Sequence, residues 1–257
     1  LNILESNQFG DIKTGRFFMR VAFTTADPSS DVKQADLKEE FKEISDQFGM
    51  DWKLFDMNVN TPAVIMVSKF DHCLVDLLYR RRIGTLKMDI AAVISNHDTT
   101  REIVNRENIP FHHIPVTSDT KQDAEDKIRK IIADTGAELI ILARYMQILS
   151  TDMANSYPGQ IINIHHSFLP SFKGAEPYSQ AYHRGVKMIG ATAHYVTPNL
   201  DEGPIIAQQV VPVRHDMSVE DMIGAGQEIE QSVMAKAIRA HTEHRILLNE
   251  GKTVVFD

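Results

Sequence analysis

The chain has 257 residues, 43% hydrophobic and 24% charged, with 27 basic against 35 acidic side chains and a formal net charge of −8. At about 150 residues per domain this is room for one large or two modest domains, and too much for a small disulfide- or metal-stapled scaffold. A net negative charge opposes sequence-independent binding to phosphate backbones, and no uncharged apolar run nears the roughly 18 residues of a membrane helix. Neither nucleic acid nor membrane is expected as a partner. The single Cys73 excludes an internal disulfide, and the first segment has no signal or transit pattern, so the expected location is the cytoplasm.

Residues 1–9 and 16–23 read as strands joined by a turn over 10–15, where Gly10 and Gly15 permit positive φ. From Asp36, residues Leu37, Phe41, Ile44 and Phe48 recur at helical spacing, Gly49 supplies a C-cap, and Met50–Met57 returns to period two. The spacing therefore predicts a small α+β module over residues 1–60 in the order strand, strand, helix, strand. Its abrupt start inside a strand, without Met, implies that residues precede it.

Asn58–Pro62 breaks that pattern, and the domain boundary is placed there, with a second domain over 61–257. Apolar runs without alternation follow at 63–67, 90–95, 139–143 and 161–164, separated by amphipathic helices near 74–82, 100–107 and 121–132. Strands buried on both faces and spaced by helices predict an α/β domain with a doubly wound, mostly parallel sheet. Strands at 192–197 and 205–213 flank a Pro/Asn/Asp/Gly loop, and a long helix is predicted from Ser218 to about Leu248.

The segment Asn163-Ile164-His165-His166-Ser167-Phe168-Leu169-Pro170 sits at the carboxyl end of a predicted parallel strand, where open α/β sheets bind ligands. Period two puts Asn163 and His165 on one face, and Ile164 and His166 on the other. An amide N–H can donate to a developing oxyanion and an imidazole can transfer a proton near neutral pH. Taken alone, the pair also reads as loop capping. Asp201, in the loop from Thr197 to Pro204, is the candidate third member, orienting His165 or ordering a water, but the loop by itself reads first as an Asx turn. Spacing leaves open whether the three meet. Cys73 near a helix start reads either as a nucleophile or as a buried side chain among Leu74, Leu77 and Leu78. The pairs His112-His113 and His165-His166 lack metal-ligand spacing, since neighbours on a strand point apart.

The strings NIHHSFLPSFKGAEPYSQAYHRG from Asn163, GATAHYVTPNLDEGPIIAQ from Gly190 and ILARYMQILS from Ile141 resemble the formyltransferase fold of glycinamide ribonucleotide transformylase and its relatives, over about residues 62–244. The resemblance implies that Asn163, His165 and Asp201 act on the formyl group of 10-formyltetrahydrofolate. It also implies a folate pocket formed by Met146, Gln147, Ile148 and Leu149 and by the loop residues Val196, Thr197 and Leu200. Met146, Ile148 and Leu149 read as core besides.

In the ribonucleotide-using transformylase the turn after the first strand is Gly-rich and cradles phosphate on backbone N–H groups. Here Ser68-Lys69-Phe70-Asp71-His72-Cys73 stands instead, with side chains that crowd a phosphate and only Lys69 to attract one. That substitution implies that water replaces the amine acceptor. The N-terminal module resembles an ACT domain lacking its first strand and helix, and the phrases SNQFGDIKTGRFFMRV and VSKFDHCLVDLLYR are similar to the formyltetrahydrofolate deformylases. The implied activity is hydrolysis of 10-formyltetrahydrofolate to tetrahydrofolate and formate, supplying formate and balancing one-carbon pools for purine synthesis. No metal or other cofactor is implied. A homo-oligomer and an amino-acid effector at the ACT-like module are. A formyltransferase using an amine acceptor, and a folate-binding sensor without turnover, stand as the rival functions.

Overall fold

The computed structural model describes residues 1–25, 32–170 and 177–257. Its contacts divide the chain into Leu1–Val59 with Val254–Asp257, and Asn60–Thr253.

In the first unit, β1 (Asn2–Asp11) and β2 (Arg16–Thr24) form an antiparallel hairpin paired from Asn2↔Thr24 to Asp11↔Arg16, and Gly15 closes the turn at φ 67. Helix α1 spans Gln34–Gln47. The third strand predicted over Met50–Met57 does not form. Its period-two pattern survives as half-buried Trp52 and Leu54 between exposed neighbours, but among the described residues no strand pairs with it to complete a ladder. The segment is held to α1 instead, by the edge-on contact of Trp52 with Phe41 at 4.8 Å and by the Gln34 amide donating to the Leu54 carbonyl at 2.7 Å. A hydrophobic alternation specifies which side faces in, whereas a strand needs a partner for its backbone groups.

The second unit is built on a seven-stranded sheet. Its strands are β3 (Thr61–Val67), β4 (Met88–Ser95), β5 (Phe111–His113), β6 (Leu139–Leu142), β7 (Ile161–His165), β8 (Met188–Tyr195) and β9 (Ile205–Pro212), in the spatial order β5-β4-β3-β6-β7-β8-β9. The pairs from β5 to β7 are parallel, while β7–β8 and β8–β9 are antiparallel. Helices α2 (His72–Arg82) and α7 (Val219–Thr242) contribute Leu74, Leu77, Ile229 and Val233 to one core cluster. Helices α4 (Lys121–Thr135) and α5 (Thr151–Ser156) contribute Ile128, Ile132 and Met153 to a second. Residues of β3 alternate between the two clusters, with Ile65 in one and Val64 and Met66 in the other, which explains their continuous apolar run. Two short helices, α3 (Arg101–Arg106) and α6 (Pro177–Arg184), complete the layers.

The chain order changes direction between β3 and β6, a switch point whose carboxyl-end crevice is the ligand-binding position of such sheets. The long helix expected to Leu248 stops at Thr242. His244 takes a left-handed φ of 49, and Ile246–Asn249 becomes β10, paired with β11 (Lys252–Val255). Apolar periodicity runs through that break because Ile246 packs on the same core cluster as α7. The short β5 and helices α5 and α6 carry too few residues to show a period and were not expected.

Ile65 lies fully buried between Val93 and Ile141 at the centre of the sheet. Truncation there leaves a cavity among neighbours fixed by their own ladders, so Ile65→Ala should lower stability by about 2–5 kcal/mol, measured as a drop of several degrees in the melting temperature of the full chain.

Candidate active site

Strand β7 ends at the carboxyl edge of the sheet with Asn163 and His165 on one face, and β8 runs antiparallel beside it with Asn163 opposite His194 and His165 opposite Thr192. The loop after β8 returns Asp201 to this face. His165 Nδ1 lies 3.4 Å from Asp201 Oδ2, and His194 Nε2 lies 3.7 Å from Asp201 Oδ1. The three residues that spacing left apart therefore converge, and a fourth, His194, joins them. Both rings are buried, His165 at 7% and His194 at 2% exposure.

The loop reaches this position through two backbone features. Asp201 adopts φ 56, a left-handed conformation that Asp tolerates better than most residues. Two residues on, a Cβ placed on Gly203 would stand 1.8 Å from the Tyr195 carbonyl, so only glycine permits the return to β8. The Tyr195 N–H then donates to the Pro204 carbonyl at 2.9 Å. On the other side, Thr192 Oγ1 donates to the Ser167 carbonyl at 2.9 Å and accepts from the Leu169 N–H at 3.0 Å, holding the turn after β7.

Hydrogen bonding assigns roles to the ring nitrogens. His194 Nδ1 lies 2.9 Å from the Tyr195 carbonyl, which can only accept, so Nδ1 carries a proton. In the neutral ring Nε2 then accepts from Asn163 Nδ2 at 3.3 Å, which orients the amide and leaves its second N–H free to donate elsewhere. His165 presents Nδ1 to Asp201, and among the described residues its buried Nε2 has no hydrogen-bond partner. The His165 hydrogen bond first and the neighbouring His194 ring second hold the Asp201 carboxyl well below the usual carboxylate range, against burial, which pushes it up.

His166 was expected to point away from His165. The strand ends at His165, alternation ends with it, and the two ring centroids lie 5.3 Å apart. Burial and then the Arg144 charge lower the His166 pKa to about 4.

The segment named as a folate wall follows β6. The Met146 N–H donates to Ser68 Oγ at 2.9 Å, Ser68 Oγ donates to Asn96 at 2.7 Å, and buried Glu125 accepts from the Ser150 N–H at 2.7 Å and from its hydroxyl. Met146–Leu149 is thus pinned at both ends. Met146 and Ile148 are more than half exposed rather than core, and of the three apolar side chains only Leu149 packs inward. Val196 and Thr197 are half-buried and Leu200 is exposed. Ser171–Glu176, the middle of the first motif, lies outside the described residues.

A second polar cluster centres on Glu230 of α7. Glu230 Oε2 accepts from His72 Nε2 at 2.8 Å, and its Oε1 accepts from the Tyr178 hydroxyl at 2.8 Å. Arg144 Nε stands 3.4 Å from Oε2. Burial pushes Glu230 up, yet the His72 hydrogen bond and the Arg144 charge hold it below the ordinary range. His72, Cys73 and Glu230 place ligand-type atoms within 4.8 Å of one another, but both Glu230 oxygens are already engaged and burial raises the Cys73 thiol well above its usual value. That is a poor offer to a cation beside a guanidinium. Cys73 is a buried side chain, as its Leu neighbours suggested.

The formyl transferase family model matches residues 62–238. A formyltetrahydrofolate deformylase of Corynebacterium sp. is 50% identical over 98% of this chain and 88% of its own length. The crystal structure of a formyltetrahydrofolate deformylase from Pseudomonas syringae superposes with a TM-score of 0.95 at 45% identity, covering 99% of this chain and 85% of that one. A glycinamide ribonucleotide transformylase from Symbiobacterium toebii gives 0.73 at 28% identity over 81% of this chain and 99% of its own. The chain belongs to the formyltetrahydrofolate deformylase family of formyl transferase proteins.

Because the folded-state pKa of Asp201 lies below its unfolded one, the stabilisation it brings is present above about pH 4 and lost as pH falls. A carbon-detected NMR titration should place this carboxyl below the other aspartates, and His165→Ala should move it up toward them.

Proposed function

We propose that this chain hydrolyses 10-formyltetrahydrofolate to tetrahydrofolate and formate without a metal, and that Asn163, His165 and Asp201 carry the reaction with His194 as a positioning residue. The observation that supports this most directly is the Asp201 carboxylate flanked by two buried imidazoles, with the Asn163 amide on the same face and His165 Nε2 left without a partner among the described residues.

A water ordered by Asp201 attacks the formyl carbon. Its oxygen bonds to that carbon, the carbonyl oxygen takes up the negative charge, and the free Asn163 N–H together with His165 Nε2–H receives it. One water proton goes to Asp201, His165 gives its Nε2 proton to the folate nitrogen, the carbon–nitrogen bond breaks, and formic acid leaves and sheds its remaining proton to solvent as formate; the proton held by Asp201 then recharges His165 through solvent. With Nδ1 turned to Asp201, Nε2 is the His165 atom suited to face the substrate. The folate is placed along Met146, Gln147, Ile148 and Leu149 and against Val196, Thr197 and Leu200, where exposed apolar side chains on a pinned segment offer a surface to a flat ring.

The transferase reading needs a seat for an amine acceptor. The turn after β3 is occupied by side chains, and its His72 is engaged by Glu230, which favours water. Residues 1–60 are read as an ACT-like regulatory module that self-associates and takes an amino-acid effector. The large apolar side chains its hairpin exposes, among them Ile3, Phe9, Phe17 and Met19, support that reading. No helix among the described residues is long and apolar enough to cross a membrane.

Incubation of the pure protein with 10-formyltetrahydrofolate and no amine should release stoichiometric formate. Added glycinamide ribonucleotide should leave that yield unchanged; a formylated amine in its place would establish the transferase. Asp201→Asn and Asn163→Ala should each lower kcat by at least about 10²-fold with an unchanged circular dichroism spectrum.

A further inference from the structure

Tyr195 ends β8, and its backbone serves both His194 and the loop that carries Asp201. Its carbonyl stands 2.9 Å from His194 Nδ1 and keeps the proton on that nitrogen. The same oxygen is the atom that a Cβ at Gly203 would strike at 1.8 Å, and the Tyr195 N–H meets the Pro204 carbonyl at 2.9 Å, so the loop closes on this one residue. The side chain lies on the opposite face of the strand from His194, in the core cluster that α7 completes, and is 4% exposed. There its hydroxyl lies 2.8 Å from Nδ1 of His241 in the last turn of α7, with the ring centroids 5.8 Å apart and the rings edge-on. Burial keeps the phenol protonated, and burial first, then the His244 charge, lowers the His241 pKa to about 4. Both partners are therefore neutral near pH 7, and their bond buries no charge. A phenyl ring would fill this core position equally well; the hydroxyl adds one directed bond from the end of β8 to a helix on the far side of the sheet.

We propose that Tyr195 is a positioning residue for the reaction: anchored by its hydroxyl to His241, it sets through its main chain the tautomer of His194 and the return of the Asp201 loop. This rests on the hydrolase reading. The tautomer matters because His194 Nε2 stays an acceptor for the Asn163 amide only while the proton sits on Nδ1, and the other N–H of that amide is the one offered to the oxyanion. Were the Tyr195 carbonyl to drift, the proton would pass to Nε2, which then meets the Asn163 Nδ2 as donor against donor and turns to Asp201 Oδ1, 3.7 Å away. The amide loses its orientation and Asp201 gains a second donor at the expense of its hold on the water. A misplacement of about 1 Å in such a constellation costs up to about 10²-fold in rate.

Tyr195→Phe removes one buried oxygen and keeps the ring. It should lower kcat about 10-fold and leave KM within about 2-fold, because a misplaced amide fails the transition state more than the bound folate. Nitrogen-15 shifts of the full chain give the readout that packing alone would not move: His194 should carry its proton on Nδ1 in the natural chain, and a measurable share should pass to Nε2 in the variant. His241→Leu should reproduce both changes, and the double variant should lose no more than either alone. His241→Asn, whose amide reaches the place of Nδ1, should keep kcat within about 3-fold of the natural value. Melting curves identify any variant that fails to fold; if Tyr195→Phe does, the two His241 variants decide. A folded Tyr195→Phe chain with kcat within about 2-fold of the natural value, or with the His194 proton still wholly on Nδ1, would overturn the role. The spectra need no folate, so a natural chain that releases no formate ends the hydrolase reading and leaves the tautomer result standing, whereas formate release with an unmoved His194 proton ends the Tyr195 role alone.

Discussion

A single carboxylate held between two buried imidazoles organises this molecule. Asp201 faces His165 on one side and His194 on the other, and the second ring in turn fixes the amide of Asn163. None of the four groups is fixed by its own segment alone. A buried polar network of this kind is favourable only when its members are satisfied together, because each idle donor or acceptor costs more than a single hydrogen bond returns. The sheet meets that condition by running β8 antiparallel to β7, which sets Asn163 directly against His194, and by the close approach at Gly203 that brings the loop back.

The Glu230 cluster follows the same rule with a different result. There a buried carboxylate is closed off by His72, Tyr178 and Arg144. Two neighbouring polar clusters thus divide the work of the carboxyl edge. One keeps an imidazole nitrogen unengaged where chemistry can occur, and the other spends its hydrogen bonds on its own members, apart from the two guanidinium donors of Arg144. The packing of Tyr178 against Gly226, where a Cβ would stand 2.1 Å from the hydroxyl, shows how little slack remains around that second cluster.

Legibility varied with the kind of physical signal. The face shared by Asn163 and His165 follows from strand period alone, and the parallel core was readable because β3, β4, β6 and β7 are apolar on both sides. Asp201 could be singled out only by loop composition and by resemblance. His194 escaped notice because it lies inside GATAHYV, a strand whose other residues look like core, and what marks it is its cross-strand partner. The residues of Met146–Leu149 read as core from composition. Their exposure depends on hydrogen bonds to Ser68 and Ser150 made by distant parts of the chain.

Local patterning was enough for the doubly wound architecture and for the amide and imidazole at one strand tip, because periodicity acts over a few neighbouring residues; the loss of a glycine cradle was legible only through the resemblance. The meeting of Asp201 with both histidines, the failure of 50–57 to join a sheet, the end of α7 at Thr242 and the burial of Arg144 with unused donors were settled by the folded chain. Each is a question of which remote backbone or side chain occupies the space opposite, and no local period encodes that.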